Sequence, residues 1–190
     1  MGGATAAVVH AIALRVNITA SMPLGVYREV APRLERGARV VFCLPEPAAR
    51  LGLERGYLPH GACLDGSQEL MKEIAAIPGD DVVLAAGGLS VNGQTLPGSA
   101  LHAVDHSGRP LEHAPFGVQR VGPNDLWVVG TLREVSWDSR YFGPVPIARV
   151  RVSAVELITF EPRAEVAEPP LSRRLDGHDE HSDDGERSKP

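Results

Sequence analysis

Glu69-Leu70-Met71-Lys72-Glu73-Ile74-Ala75-Ala76-Ile77-Pro78-Gly79-Asp80-Asp81-Val82-Val83-Leu84-Ala85-Ala86-Gly87-Gly88-Leu89-Ser90-Val91-Asn92-Gly93 sets short apolar runs between turn signals. Glu69–Ile77 is compatible with a strand, and Pro78-Gly79-Asp80 closes it with a turn. Asp81–Ala86 reads as the returning strand, and Gly87-Gly88 turns the chain again. Leu89–Leu96 then carries Asn92-Gly93, the strongest two-residue hairpin signal. Working outward, Arg39–Leu44 reads as a strand and Pro47–Leu53 as a short helix ended near Gly56. Leu126–Thr131 and the long β-branched run Ile147–Phe160 supply further strands, while residues 97–124, rich in Gly, Pro and His, read as an irregular excursion. Helical periodicity is almost absent. The expectation is a mainly β, coiled, barrel-like domain over residues 15–160 with few short helices.

Composition agrees. The chain has 190 residues with Gly 20, Pro 16 and only 5% aromatics, which suits strands and turns better than a helical bundle. Nine acidic and five basic residues lie from Glu161 onward, so most of the net charge of −5 sits there. The rest is near neutral, with no basic excess and no aromatic-basic pattern, which argues against nucleic acid as a partner. Residues 161–190 are charged, Pro-containing and poor in aliphatics, so they read as a disordered tail without a catalytic role. Residues 4–14 are apolar but short, interrupted by His10 and preceded by no basic region. Within a segment at residues 1–14 they read either as a truncated signal or anchor or as a core-packing helix.

Of the 19 basic residues seventeen are arginine, and Lys72 is the one lysine before the tail. Arginine bias is often genomic, but a lysine retained once suggests a proton that must come off, which arginine does not allow. Cys43 and Cys63, 20 residues apart, form neither CxxC nor a metal-like spacing. A disulfide in an oxidising compartment and two separate buried thiols are both open readings.

Asn17-Ile18-Thr19-Ala20-Ser21-Met22-Pro23-Leu24-Gly25-Val26-Tyr27 places a serine between a short extended run and a Pro/Gly turn. Ile18 and Thr19 favour extended backbone, and Pro23 biases Met22 the same way. Most serines in such places only cap or solvate a turn. Ser21 gains weight from Lys72, because a buried neutral amine is a base for a serine nucleophile, and Ile74, Ala75, Ala76 and Ile77 supply apolar surroundings. The Ser21 N–H and the Thr19 hydroxyl are candidate oxyanion donors. A third polar block, Ser136-Trp137-Asp138-Ser139-Arg140-Tyr141-Phe142-Gly143-Pro144-Val145, lies between two predicted strands.

Four blocks in this order resemble the type I signal peptidases, serine proteases with a Ser/Lys dyad: Asn17 to Tyr27, Lys72 with Ile77-Pro78-Gly79-Asp80, Val91-Asn92-Gly93, and Asp138 to Val145. The Ser21-Met22-Pro23 spacing, one residue shorter than in the general signal peptidases, and Gly61-Ala62-Cys63 are similar to the conjugative-transfer, TraF-type branch, which matures pilin precursors. The resemblance implies Ser21 as nucleophile, Lys72 as general base, Thr19 as an oxyanion donor and Ser136 as the hydroxyl orienting the lysine. It implies Asp138 tied to activity, with Arg140 and Asp80 in supporting places. It further implies a pilin precursor or other secreted protein as substrate, with small side chains before the cut, bound as a strand along the cleft edge. No metal or organic cofactor is implied. The implied location is the periplasmic face of the bacterial inner membrane, with contact to its surface, although the anchor that usually precedes the serine block is abbreviated here.

Other chemistries fit less well. A Ser-His-Asp arrangement from Ser21 with His102, His106 or His113 and Asp105 draws on the loop-rich excursion and lacks a GxSxG elbow. Zinc at His102 and His106 needs a helix that Gly108 and Pro110 oppose. A self-cleaving repressor would cut upstream of its serine, yet Ala86-Gly87 lies downstream and no room remains before Ser21 for a DNA-binding domain. A general leader peptidase is the runner-up. A non-catalytic component of a secretion assembly is opposed by intact Ser21, Thr19, Lys72 and Ser136. Hydrolysis and cyclisation of the substrate share one acyl-enzyme, so these residues leave that choice open.

Overall fold

The computed structural model describes residues 13–131 and 136–160. The apolar segment up to residue 12 and the charged tail at 161–190 lie outside the described residues. In chain order the elements begin with β1 (Leu14–Asn17), β2 (Leu24–Val30), β3 (Arg39–Phe42), α1 (Ala48–Glu54) and β4 (Leu70–Ala76). Next come β5 (Asp81–Ala85), β6 (Gly88–Val91), β7 (Gln94–Thr95), β8 (Gly117–Arg120) and β9 (Asp125–Val129). Helix α2 (Ser139–Phe142), β10 (Val145–Pro146), a 3-10 turn at Ile147–Arg149 and β11 (Val150–Phe160) complete the described chain.

The strands form two antiparallel sheets, with orders β1-β2-β11-β3-β4-β9-β10 and β7-β6-β5-β8. Strand β3 pairs β4 with Val40 opposite Lys72, and β4 pairs β9 with Ile74 opposite Val128. Two-residue alternation sends one face of β3 and β4 into a core of Val40, Phe42, Leu44, Ile74, Leu126 and Val128. The other face meets Met22, Tyr27, Val41, Met71 and Ala154. A third cluster, including Val82, Leu84, Leu89, Trp127 and Val129, joins the smaller sheet to β9.

The mainly β expectation is met, and β5, β6 and β7 form a meander through the predicted turns. Strand β5 does not return along β4: the Pro78-Gly79-Asp80 turn carries the chain from the larger sheet to the smaller one, where β5 pairs β6 and β8. The details differ in four further places. Leu14 opens β1, and the extended run ends at Asn17 rather than reaching Thr19. Strand β2 was hidden by the Pro23-Leu24-Gly25 turn signal. Gly25 lies inside that strand because a Cβ there would run into the Ile158 carbonyl of β11, so the glycine serves close strand approach and not a turn. The predicted excursion contains β8, whose sequence Gly117-Val118-Gln119-Arg120 carries little apolar signal and is held by backbone pairing to β5. The last strand begins at Val150, after the 3-10 turn, and not at Ile147.

Candidate active site

Lys72 owes its environment to strand alternation. It opposes Val40 and shares a face with Ile74, both core residues, so its amine is carried into apolar surroundings and the residue is 2% exposed. Burial pushes its pKa down from 10.5 to about 8. Asp138 pulls the value upward and Arg140 pushes it further down. At pH 7 roughly a tenth of such an amine is neutral, against roughly one part in three thousand for an unperturbed lysine.

The lysine Nζ lies 2.7 Å from Ser21 Oγ and 2.9 Å from Ser136 Oγ. Three residues far apart in the chain thus meet at one nitrogen. Ser21 is carried by the loop between β1 and β2, and Met22 beside it is fully buried against the opposite face of the sheet. That burial anchors the loop against the sheet. Two side chains to which the sequence reading gave no role fix its path. Asn17 Nδ2 lies within 2.9–3.1 Å of the carbonyls of Thr19, Met22 and Pro23. The buried Tyr27 hydroxyl donates to the Pro23 carbonyl at 2.7 Å. The Thr19 hydroxyl donates to Asn17 Oδ1 at 2.7 Å, so to reach an oxyanion it must first leave that bond.

On the other side of the lysine, Ser136 is tied to a buried pair. Arg140 Nη2 donates to the Ser136 carbonyl at 3.1 Å, and Arg140 Nε and Nη2 reach the Asp138 carboxylate at 2.9 and 3.0 Å. Both side chains of this pair are completely buried. Asp138 also caps α2 by accepting from the Arg140 N–H and accepts the Gly130 N–H at 3.0 Å. A Cβ on Gly130 would overlap Ser136 Oγ and stand 2.7 Å from the Ser21 carbonyl oxygen. Gly130 is therefore the space in which the two serines approach the lysine. Nothing local in the sequence separates it from an ordinary loop glycine. Asn17 did have a signal, an Asx side chain two residues before an irregular loop, which is the usual place for side-chain capping.

Asp80 belongs elsewhere. It accepts from Arg36, from the Ile77 N–H at 2.9 Å and from Asn92 Nδ2 at 3.0 Å, so it locks the β4–β5 turn to the β6–β7 turn, away from Ser21 and Lys72. Hydrogen bonding from Arg36, reinforced by Asn92 and against the effect of burial, holds its carboxyl well below the usual range. Cys43 and Cys63 are bridged, with Cα atoms 5.8 Å apart. Asp105 is engaged by Tyr57 and Arg109, and His113 Nδ1 is paired with the Ala114 carbonyl oxygen, so neither completes a triad with Ser21. Among the described residues no group of three or more His, Cys, Asp or Glu side chains converges to hold a metal.

Beside Ser21 a cleft of about 70 Å³ runs between Arg15, Val16 and Asn17 on one side and Glu69, Leu70 and Met71 on the other. Arg15 and Glu69 are joined across it by an ion pair of 2.6 Å. The arrangement holds what acyl transfer by a serine needs: a hydroxyl, a buried amine able to take its proton, and an adjacent slot narrow enough for small side chains.

Residues 6–159 match the family described as signal peptidase, peptidase S26. The plasmid transfer protein TraF of Escherichia coli is 35% identical over 156 residues, which cover 80% of this chain and 85% of that one. The probable conjugal transfer protein TraF of Sinorhizobium fredii (strain NBRC 101917 / NGR234) is 36% identical over 153 residues, 78% of each chain. A crystal structure of a signal peptidase I from Enterococcus faecalis V583 overlaps with a TM-score of 0.37 and 20% identity, covering 65% of this chain and 97% of that chain.

Proposed function

The chain belongs to the signal peptidase S26 family, and we propose that it is a Ser21/Lys72 serine endopeptidase that processes a pilin precursor for conjugative transfer. The observation that carries this reading is the 2.7 Å approach of a buried, pKa-depressed Lys72 Nζ to Ser21 Oγ. Similarity to plasmid and conjugal transfer proteins named TraF supports a role in conjugative transfer. The bridge between Cys43 and Cys63 supports an oxidising compartment, and the proposed location is the periplasmic face of the inner membrane. Among the described residues no helix is long and apolar enough to cross a membrane.

In the proposed reaction neutral Lys72 takes the Ser21 proton as Oγ attacks the scissile carbonyl carbon. The Ser21 N–H, with Thr19 once it turns from Asn17, stabilises the oxyanion. Collapse breaks the C–N bond, and the Lys72 ammonium gives its proton to the departing amine, leaving an acyl ester on Ser21. Lys72 then activates water, or a tethered amine, for attack on that ester. Ser136, held by Arg140, keeps Nζ aimed at Ser21. Asp138 keeps Arg140 in place.

Intact-mass spectrometry of a pilin precursor co-expressed with this chain tests the reading. Shortening by the wild type and none by Ser21→Ala is expected. A product one water lighter than the linear fragment means cyclisation, and full mass means hydrolysis. Equal shortening by both proteins removes Ser21 from the chemistry, and an intact precursor with both rejects the substrate.

A further inference from the structure

Tyr57 lines the cleft beside Ser21 and also a second, larger cavity of about 370 Å³. Ser136, Trp137, Tyr141, Val104 and Leu111 contribute to the walls of this second space. We propose that the cavity is the subsite for the residue immediately after the scissile bond, and that it selects an aromatic side chain there. The proposal rests on the endopeptidase reading given above.

Lys72 must pass the proton it takes from Ser21 to the departing amine, so that nitrogen has to come within hydrogen-bond reach of Nζ. Nζ has two oxygen neighbours, Ser21 Oγ and Ser136 Oγ. The acyl half of the substrate stays on Ser21 beside the narrow cleft. The amine half leaves past Ser136, which borders the larger cavity, and Tyr57 lines both spaces.

Size and chemistry then choose the occupant. The space beside Ser21 is about 70 Å³ and admits small side chains, whereas about 370 Å³ falls within the ordinary range of ligand sites. Its aromatic walls are held in fixed relative orientation. The Tyr57 and Trp137 rings lie 5.1 Å apart at 55°, and Trp137 is held edge-on by Phe142 at 5.2 Å. Such walls favour a flat ring in edge or offset contact. The one carboxylate on the wall, Asp105, is taken by Tyr57 at 2.6 Å and Arg109 at 2.7 Å, so it does not attract a cationic residue.

Fluorogenic peptides with Ala before the scissile bond and Phe, Ala or Asp after it, assayed with the full chain, test this. The Phe peptide is expected to exceed the Ala peptide about tenfold in kcat/KM. In Val104→Asp, and independently in Leu111→Ala, that ratio should fall to about twofold, a quantity normalised within each protein. Equal values for Phe and Ala in the wild type, a preference for Asp, or an unchanged ratio in both variants overturns the subsite while the peptidase reading stands. Failure of the wild type to cleave any of the peptides overturns both.

Discussion

Ser136 Oγ stands 2.9 Å from Lys72 Nζ, and the space it occupies is the space a side chain on Gly130 would fill. The bond and the bare glycine act together: without the first the amine is not aimed, and without the second Ser136 cannot reach it. Gly130→Ala should therefore lower kcat/KM by about a hundredfold, since misplacement of the reacting groups by about 1 Å costs that much. The circular dichroism spectrum should stay that of the wild type. Wild-type turnover in a folded Gly130→Ala protein would show that the close approach is not needed.

The depressed pKa of Lys72 sets the pH dependence. In the proposed reaction the neutral amine is the active form, so kcat/KM should rise about tenfold per pH unit below pH 8 and level off above it. Lys72→Arg should be as inactive as Lys72→Ala, because a guanidinium stays protonated throughout. A flat profile between pH 6 and 9, or activity in the arginine variant, would remove the lysine from the role of base.

Asp138 raises the Lys72 pKa and pairs with a completely buried Arg140. Asp138→Asn removes both effects. The acid limb of the kcat/KM profile should move below pH 8, and urea denaturation should show a loss of about 3–5 kcal/mol, because Arg140 keeps a buried charge without its partner. A limb displaced to higher pH would contradict the electrostatic account.

Asn17→Asp keeps the size of the side chain and its capacity to accept from Thr19, but loses the donor that serves the carbonyls of Thr19, Met22 and Pro23. Stability should fall by about 1–3 kcal/mol and kcat/KM by about tenfold or more as the Ser21 loop loosens. Unfolding curves and kinetics on the same preparation separate the two effects. An unaltered protein would mean that Tyr27 alone suffices to hold the loop.

The bridge between Cys43 and Cys63 closes a loop of 20 residues that carries Tyr57, Leu58 and Pro59 to the cleft wall. A closure of that length is worth about 3 kcal/mol in the chain-entropy account. The double variant Cys43→Ala/Cys63→Ala should lose about that much in urea unfolding, with KM rising more than kcat falls. A change confined to kcat would place the effect on the dyad instead.

The amino-acid sequence by itself determined the β class, the meander through Asn92-Gly93, and the residue types of the site. Alternation, β-branching and turn chemistry act within a few residues and are legible wherever they occur. The rare lysine at position 72 and the serine before Pro23 were visible for the same reason. The fold decided what depends on distance between remote parts of the chain. It brought Ser21, Lys72 and Ser136 to one point, bridged Cys43 to Cys63, and made Gly130 a contact position and Asn17 the anchor of the loop. It also placed Asp80 in the β4–β5 turn with Arg36 and Asn92, away from Ser21 and Lys72. Burial does the rest: the Lys72 pKa falls because folding removes the amine from water, and that desolvation exists nowhere in the unfolded chain.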